Sequence, residues 1–239
     1  MSSLRLKSLD IIGCREQLGR LPAGKLLINT INAHSYNTAL KDDLFAEALM
    51  KGDALIPDGA SIVKACRWIK AKSQPKERIA GWDLFEFEME RLNQRGGKCM
   101  FMGSSEKVLG LIKERAAVVY PNIEVVTYSP PYKPEFSKED NDAIVAAINA
   151  ANPDLLWIGM TAPKQEKWTY SHWKDLDVHC HVGTVGAVFD FFAGTSKRAP
   201  KWWREHSLEW LYRLMKEPRR MWRRYILGNV LFLWNMTKE

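Results

Sequence analysis

The feature that most constrains this chain is a recurring unit: a short apolar run that ends in polar or small residues, followed by a longer stretch with helical spacing. The runs are KLLINT at 25–30, ALIP at 54–57, KCMFM at 98–102, IEVVTY at 123–128, DLLWIG at 154–159 and VHCHV at 178–182. Between the first two, Tyr36, Leu40, Leu44, Phe45, Ala48 and Leu49 predict a helix over 35–51. Further helices are expected over 61–72, 83–94, 106–120 and 138–151, and from about 167. Strands alternating with helices predict an α/β fold, a Rossmann-like and mostly parallel sheet flanked by helices. No internal repeat, low-complexity tract or Gly/Ser linker interrupts the pattern. The expected division is one α/β domain over 1–195 and a C-terminal amphipathic, basic helical appendage over 196–239.

Parallel sheets bind ligands where their strands end, at the carboxyl edge. Thr30, Asn32, Asp58, Gly103, Ser104, Thr161 and Gln165 all fall at such ends, which points to one site. Asp58, between Pro57 and Gly59, is a carboxylate that could take a proton from a sugar hydroxyl, or could simply close an Asx turn. Thr30 and Asn32 could bind sugar hydroxyls or cap the helix that follows, and Gln165 carries a similar ambiguity. Gly103-Ser104-Ser105, between a strand and a helix, would present free N–H groups to a phosphate or form a plain βα corner. His179 and His181 lack a third conspicuous ligand, so they read as packing or as a poor metal site. No GxSxG, HExxH or Walker sequence supports a hydrolase, metalloprotease or ATPase.

Charge distinguishes the end of the chain. Residues 197–224 hold ten Lys/Arg against three Asp/Glu, a surplus equal to the net charge of +7 of the whole protein. The rest is balanced, so the positive charge has a place and calls for a target. On a helix, Arg213, Lys216, Arg220, Arg223 and Arg224 share an arc of about 100°, which Pro218 must split into two shorter helices. A solvated surface, a phosphate or a nucleic acid would each suit such a face. Five of the ten Trp (Trp202, Trp203, Trp210, Trp222 and Trp234) lie in or beyond this stretch, a composition suited to a surface anionic on top and oily beneath. The apolar segment over 225–234 is half the length of a membrane span, so contact with a membrane would be peripheral. Four separated cysteines with no CxxC pair fit a reducing cytoplasm, and the first thirteen residues lack the apolar run of a signal peptide.

Seven blocks together resemble the WecG/TagA/CpsF glycosyltransferases: NTINAHSYNTA at 29–39, IPDGASIV at 56–63, RIAGWDLFE at 78–86, MGSSEKV at 102–108, PDLLWIGMTAPKQEKW at 153–168, HVGTVGAVFDFFAGTSKRAP at 181–200 and LEWLYRLMKEPRRMWRRY at 208–225. That resemblance implies inverting transfer of an N-acetylmannosamine-type sugar from a UDP-sugar to a polyprenyl-diphosphate-linked saccharide, with no essential metal and no cofactor. It implies Asp58 as general base and Thr30 as the residue assisting at the acceptor or donor sugar. Asn32, Arg78 and Gln165 become pocket positions, and Arg213, Arg220 and Arg223 hold the acceptor's diphosphate. Phosphate contact by Gly103 and Ser104 completes the expected site. The partners so implied are the two substrates, an anionic membrane surface at the inner face of the cytoplasmic membrane, and further copies in a homo-oligomer. UDP-glucose or a UDP-uronic acid is the rival donor. A nucleic-acid-binding module is the rival of another class, although no nucleic acid partner is expected.

Overall fold

Successive strand side chains point to opposite faces, so a run that is apolar throughout must be covered on both sides. The computed structural model describes residues 4–206 and 208–239, apart from the side chains of Glu205 and Arg220. Among these, β1 (Leu26–Ile31), β2 (Ala54–Pro57), β3 (Gly97–Gly103), β4 (Ile123–Tyr128), β5 (Leu155–Gly159) and β6 (His181–Thr184) form one parallel sheet. Their order across it is β2-β1-β6-β5-β3-β4. Cys99, Phe101, Leu155 and Trp157 enter one apolar layer with Phe85, Phe189 and Phe192. Their neighbours Met100, Met102, Leu156 and Ile158 enter another with Ile144, Ile148 and Trp168.

The helices of the body are α1 (Ala33–Ala39), α2 (Asp43–Lys51), α3 (Ala60–Trp68), α4 (Gly81–Arg95), α5 (Glu106–Val119), α6 (Lys138–Ala151), α7 (Lys164–Ser171) and α8 (Gly186–Ala193). Helices α4, α5 and α8 cover the first layer, α6 and α7 the second, and α1 to α3 continue the second over β1 and β2. Three sequence expectations are corrected. The helix expected over 35–51 is two helices, because Asp42 Oδ1 accepts the Phe45 N–H at 3.0 Å and caps a new start. The helix expected over 61–72 stops at Trp68. The strand expected over 178–182 begins only at His181, which leaves His179 outside it and exposed. His181 is buried, with Nδ1 3.0 Å from Glu88 Oε1 and Nε2 2.9 Å from the Pro22 carbonyl, so its ring serves packing.

The C-terminal helices are α9 (Lys201–Glu205), α10 (Glu209–Lys216), α11 (Pro218–Trp222) and α12 (Gly228–Met236), the last two joined by a π-helical turn over Arg223–Leu227. Pro218 divides α10 from α11 as its chemistry requires, taking the first position of the new helix, where its missing N–H costs nothing. Helix α12 docks on α1. Phe232 meets Tyr36 edge to face at 5.6 Å, and Asn37 Nδ2 donates to the Gly228 carbonyl at 2.7 Å. Phe232 and Met236 are buried, whereas Trp222, Ile226, Val230, Leu233 and Trp234 are exposed as an oily stripe at helical spacing. No helix among the described residues is long and apolar enough to cross a membrane.

Candidate active site

The carboxyl ends of the strands open into one cleft of about 2160 Å³, roofed on one side by the C-terminal helices. Two glycines let its floor close up. Gly103 has φ +119°, and a Cβ there would lie 2.2 Å from the Gly159 carbonyl oxygen. At Gly186 an added Cβ would sit 2.2 Å from the Met160 carbonyl oxygen. Only glycine allows these approaches, so the floor is held by backbone.

Asp58 leaves the end of β2 in a tight turn, its N–H bonded to the Ile56 carbonyl at 3.0 Å. The loop before α4 returns beside it, because the Ile79 N–H donates to the Pro57 carbonyl at 3.1 Å, and this delivers Arg78. An Arg78 guanidinium nitrogen lies 3.5 Å from Asp58 Oδ1 but only 2.8 Å from Glu209 Oε2, on α10. Glu209 Oε1 is in turn 3.4 Å from Arg213. Asp58 therefore stands at the outer limit of a hydrogen bond to its nearest cation. Its side chain remains 29% exposed, so a substrate hydroxyl can reach it.

The electrostatics follow from that arrangement. Burial pushes the Asp58 carboxyl above the ordinary carboxylate range; Arg78 opposes the shift and Glu209 reinforces it. Burial works against the charge on Arg78 too, but Asp58 and Glu209 outweigh it and hold the guanidinium more firmly protonated. Glu209 would also be pushed up by burial, yet Arg78, Arg213 and Arg198 together bring it below its usual value. The outcome is a carboxylate of raised pKa whose nearest cations, Arg78 and Arg213, also serve Glu209.

The remaining sequence candidates divide by what their atoms are doing. Thr30, Asn32, Arg78, Ser104, Thr161, Gln165, Arg213 and Arg223 line the cleft with Asp58. Asn32 Oδ1 is committed to capping α1, accepting the His34 and Ser35 N–H groups at 3.0 Å each. Gln165 is a buried bolt: Oε1 accepts from Met160 N at 3.2 Å and Gly186 N at 3.1 Å, and Nε2 donates to Glu166 Oε1 at 2.9 Å. Gly103 is buried behind the cleft wall, and Ser104, at φ 62°, takes the turn into α5. The side chain of Arg220 lies outside the described residues; its backbone is in α11.

Sequence reasoning missed Glu209, an acid inside a basic run, although its placement four residues before Arg213 was a readable signal. It also missed Glu166. That carboxyl is buried, its Oε2 lacks a hydrogen-bond partner, and burial pushes it up to about 7 against the Gln165 hydrogen bond.

Comparison with known proteins bears on this geometry. Residues 3–239 match the glycosyl transferase WecG/TagA/CpsF family. Over 200 residues, 84% of this chain and 75% of the relative, the chain is 30% identical to N-acetylglucosaminyldiphosphoundecaprenol N-acetyl-beta-D-mannosaminyltransferase of Bacillus subtilis. A protein of the same name from Bacillus spizizenii is 31% identical over 199 residues, 83% of this chain and 74% of that one. With its cleft at the carboxyl edge of a parallel sheet and nearly its whole length matched, this chain belongs to the WecG/TagA/CpsF family of glycosyl transferases.

Proposed function

We propose that this protein transfers N-acetylmannosamine from a UDP-sugar to the N-acetylglucosamine of a polyprenyl-diphosphate-linked acceptor, inverting the anomeric centre. Asp58 takes the proton of the acceptor hydroxyl. The freed oxygen bonds to the anomeric carbon from the face opposite the nucleotide, and the bond from that carbon to the diphosphate oxygen breaks, its electron pair leaving with UDP. Asp58, a half-buried carboxylate still open to the cleft, with an upward-shifted pKa and in the same cleft as Arg78, Arg213 and Arg223, is the observation that carries this reading. Guanidinium groups hold phosphate oxygens in pairs and stay charged at any working pH, so they can take the leaving charge with no metal ion or cofactor.

Residues 1–195 supply the base and 196–239 the arginines that complete the site. The oily stripe on α11 and α12 rests on the inner face of the cytoplasmic membrane, bringing the lipid-linked acceptor to the cleft. Thr30 and Asn32 line the cleft and Gln165 holds its wall.

The test is Asp58→Asn, assayed with UDP-N-acetylmannosamine and an N-acetylglucosaminyl-diphosphate lipid. Turnover is expected to fall by about 10²- to 10⁴-fold with the fold intact. A variant that turns over near the wild-type rate removes Asp58 as the base. Wild-type turnover with UDP-glucose or a UDP-uronic acid alone would replace the donor and keep the mechanism.

A further inference from the structure

Arg198 follows α8 in the segment that leads to the C-terminal helices, and it lines the same cleft as Asp58. Its guanidinium lies over the Trp82 ring, 4.8 Å from the centroid. Trp82 is itself fixed by Phe85 at 5.6 Å and Phe192 at 6.4 Å, so the platform is anchored in the core. Stacking of this kind occupies the face of the guanidinium and leaves its N–H edge for a planar, two-point partner.

No such partner is supplied by the described residues. Among the described residues Arg198 makes no ion pair and donates no hydrogen bond, and its Nε is buried without an acceptor. A buried donor left in that state costs free energy. Glu209, the carboxylate that acts most strongly on Arg198, is already 2.8 Å from Arg78 and 3.4 Å from Arg213. Burial weakens the charged form of Arg198; Glu209 and Asp83 favour it, and Arg204 and Arg78 repel it. Arg78, Arg198 and Arg213 thus share two carboxylates, Glu209 and the proposed base Asp58, and this group of five side chains keeps a net positive charge.

We propose that Arg198, held flat on Trp82, is a diphosphate-binding residue of this cleft. The assignment rests on the glycosyl-transfer reading above and adds a residue to it. A diphosphate fits because it offers adjacent pairs of anionic oxygens to a guanidinium fork, and Arg213 lines the same cleft as Arg198. The reaction brings two diphosphates to this cleft, one on the nucleotide and one on the isoprenoid, and their chemistry toward Arg198 is the same.

The experiment uses the full chain as wild type, Arg198→Gln and Arg198→Lys. Binding is measured by calorimetry with UDP in one arm and geranylgeranyl diphosphate in the other, with uridine as the phosphate-free control. Arg198→Gln is expected to weaken at least one diphosphate by about 10- to 100-fold, with uridine unchanged. Arg198→Lys, which keeps the charge but not the fork, is expected to recover only part of that loss and guards against a folding defect in the first variant. Loss with UDP alone assigns Arg198 to the leaving group, and loss with the isoprenyl diphosphate alone assigns it to the acceptor. Wild-type affinity of both variants in both arms overturns the assignment while leaving the transferase reading intact. A wild-type protein that binds neither diphosphate overturns both.

Discussion

Arg78 and Glu209 are 131 residues apart in sequence and 2.8 Å apart in space. This pair joins the loop before α4 to the first long helix of the C-terminal segment, next to Asp58. It also settles where Arg78 spends its charge. Had Arg78 turned fully to Asp58, the carboxylate would be a tightly paired and weakly basic group.

Glu209→Gln is therefore expected to release Arg78 toward Asp58 and lower the pKa of that carboxyl. In the wild type, activity is expected to fall as pH drops through a value above the ordinary aspartate range, since burial raises the Asp58 carboxyl. The variant's acid limb moves to lower pH, and its plateau rate drops by about 10-fold or more, because a weaker base is a poorer proton acceptor. A pH–rate profile superimposable on the wild type would show that Glu209 does not restrain Arg78.

Glu166 gives stability a pH dependence of its own. Folded, it titrates near 7; its ordinary value is 4.5. Between those values the folded chain keeps a proton that the unfolded chain has lost. Its contribution is thus fully present below about 4.5, declines as pH rises and is gone above about 7, a penalty on the order of 3 kcal/mol. Glu166→Gln keeps an acceptor for Gln165 and removes the titration. Denaturant unfolding is expected to find the variant more stable than wild type at pH 8, by up to about that amount, and equal to it at pH 4. Equal stabilities at both pH values would contradict the assignment.

Gly103→Ala places a methyl group against the Gly159 carbonyl, at a backbone angle that disfavours any side chain. The expected cost is about 3 kcal/mol or more in unfolding free energy. Gly110→Ala is the control: an added Cβ meets nothing within 4 Å in α5, and there the change should stabilise by about 0.5–1 kcal/mol.

The double variant Ile226→Glu, Val230→Glu puts charge on the exposed stripe, where the two residues are 52% and 65% accessible. Co-sedimentation with anionic vesicles is expected to fall by about 10-fold or more at an unchanged melting temperature. Undiminished vesicle binding would assign the membrane contact to another face.

What was readable in the sequence follows from which forces are local. The strands were legible because burial on both faces leaves nearly unbroken apolar runs, and the residues at their carboxyl ends therefore announced the cleft. Pro218 was legible because its chemistry acts on its own backbone. Two helices merged into one in the sequence because the apolar spacing of 35–51 continues across a break made by a single capping carboxylate, Asp42. Glu209 was hidden because its meaning depends on Arg78, far away in sequence. Glu166 was hidden because spacing says nothing about which charged side chain will be buried. Gly103 looked like a phosphate corner, yet in the structure its missing side chain also allows two strands to end in contact.

The strand order has a consequence for synthesis. β1 pairs with β2 and β3 with β4, but within the sheet these two pairs are joined through β5 and β6, which leave the ribosome after all four. A nascent chain that ends at residue 151 accordingly holds two strand pairs with exposed edges, prone to cleavage and to sticking. Pulse proteolysis of stalled chains is expected to find that length sensitive and the full chain protected; equal protection would mean the pairs are stable apart. The strands translated last are the ones that make the halves a single body.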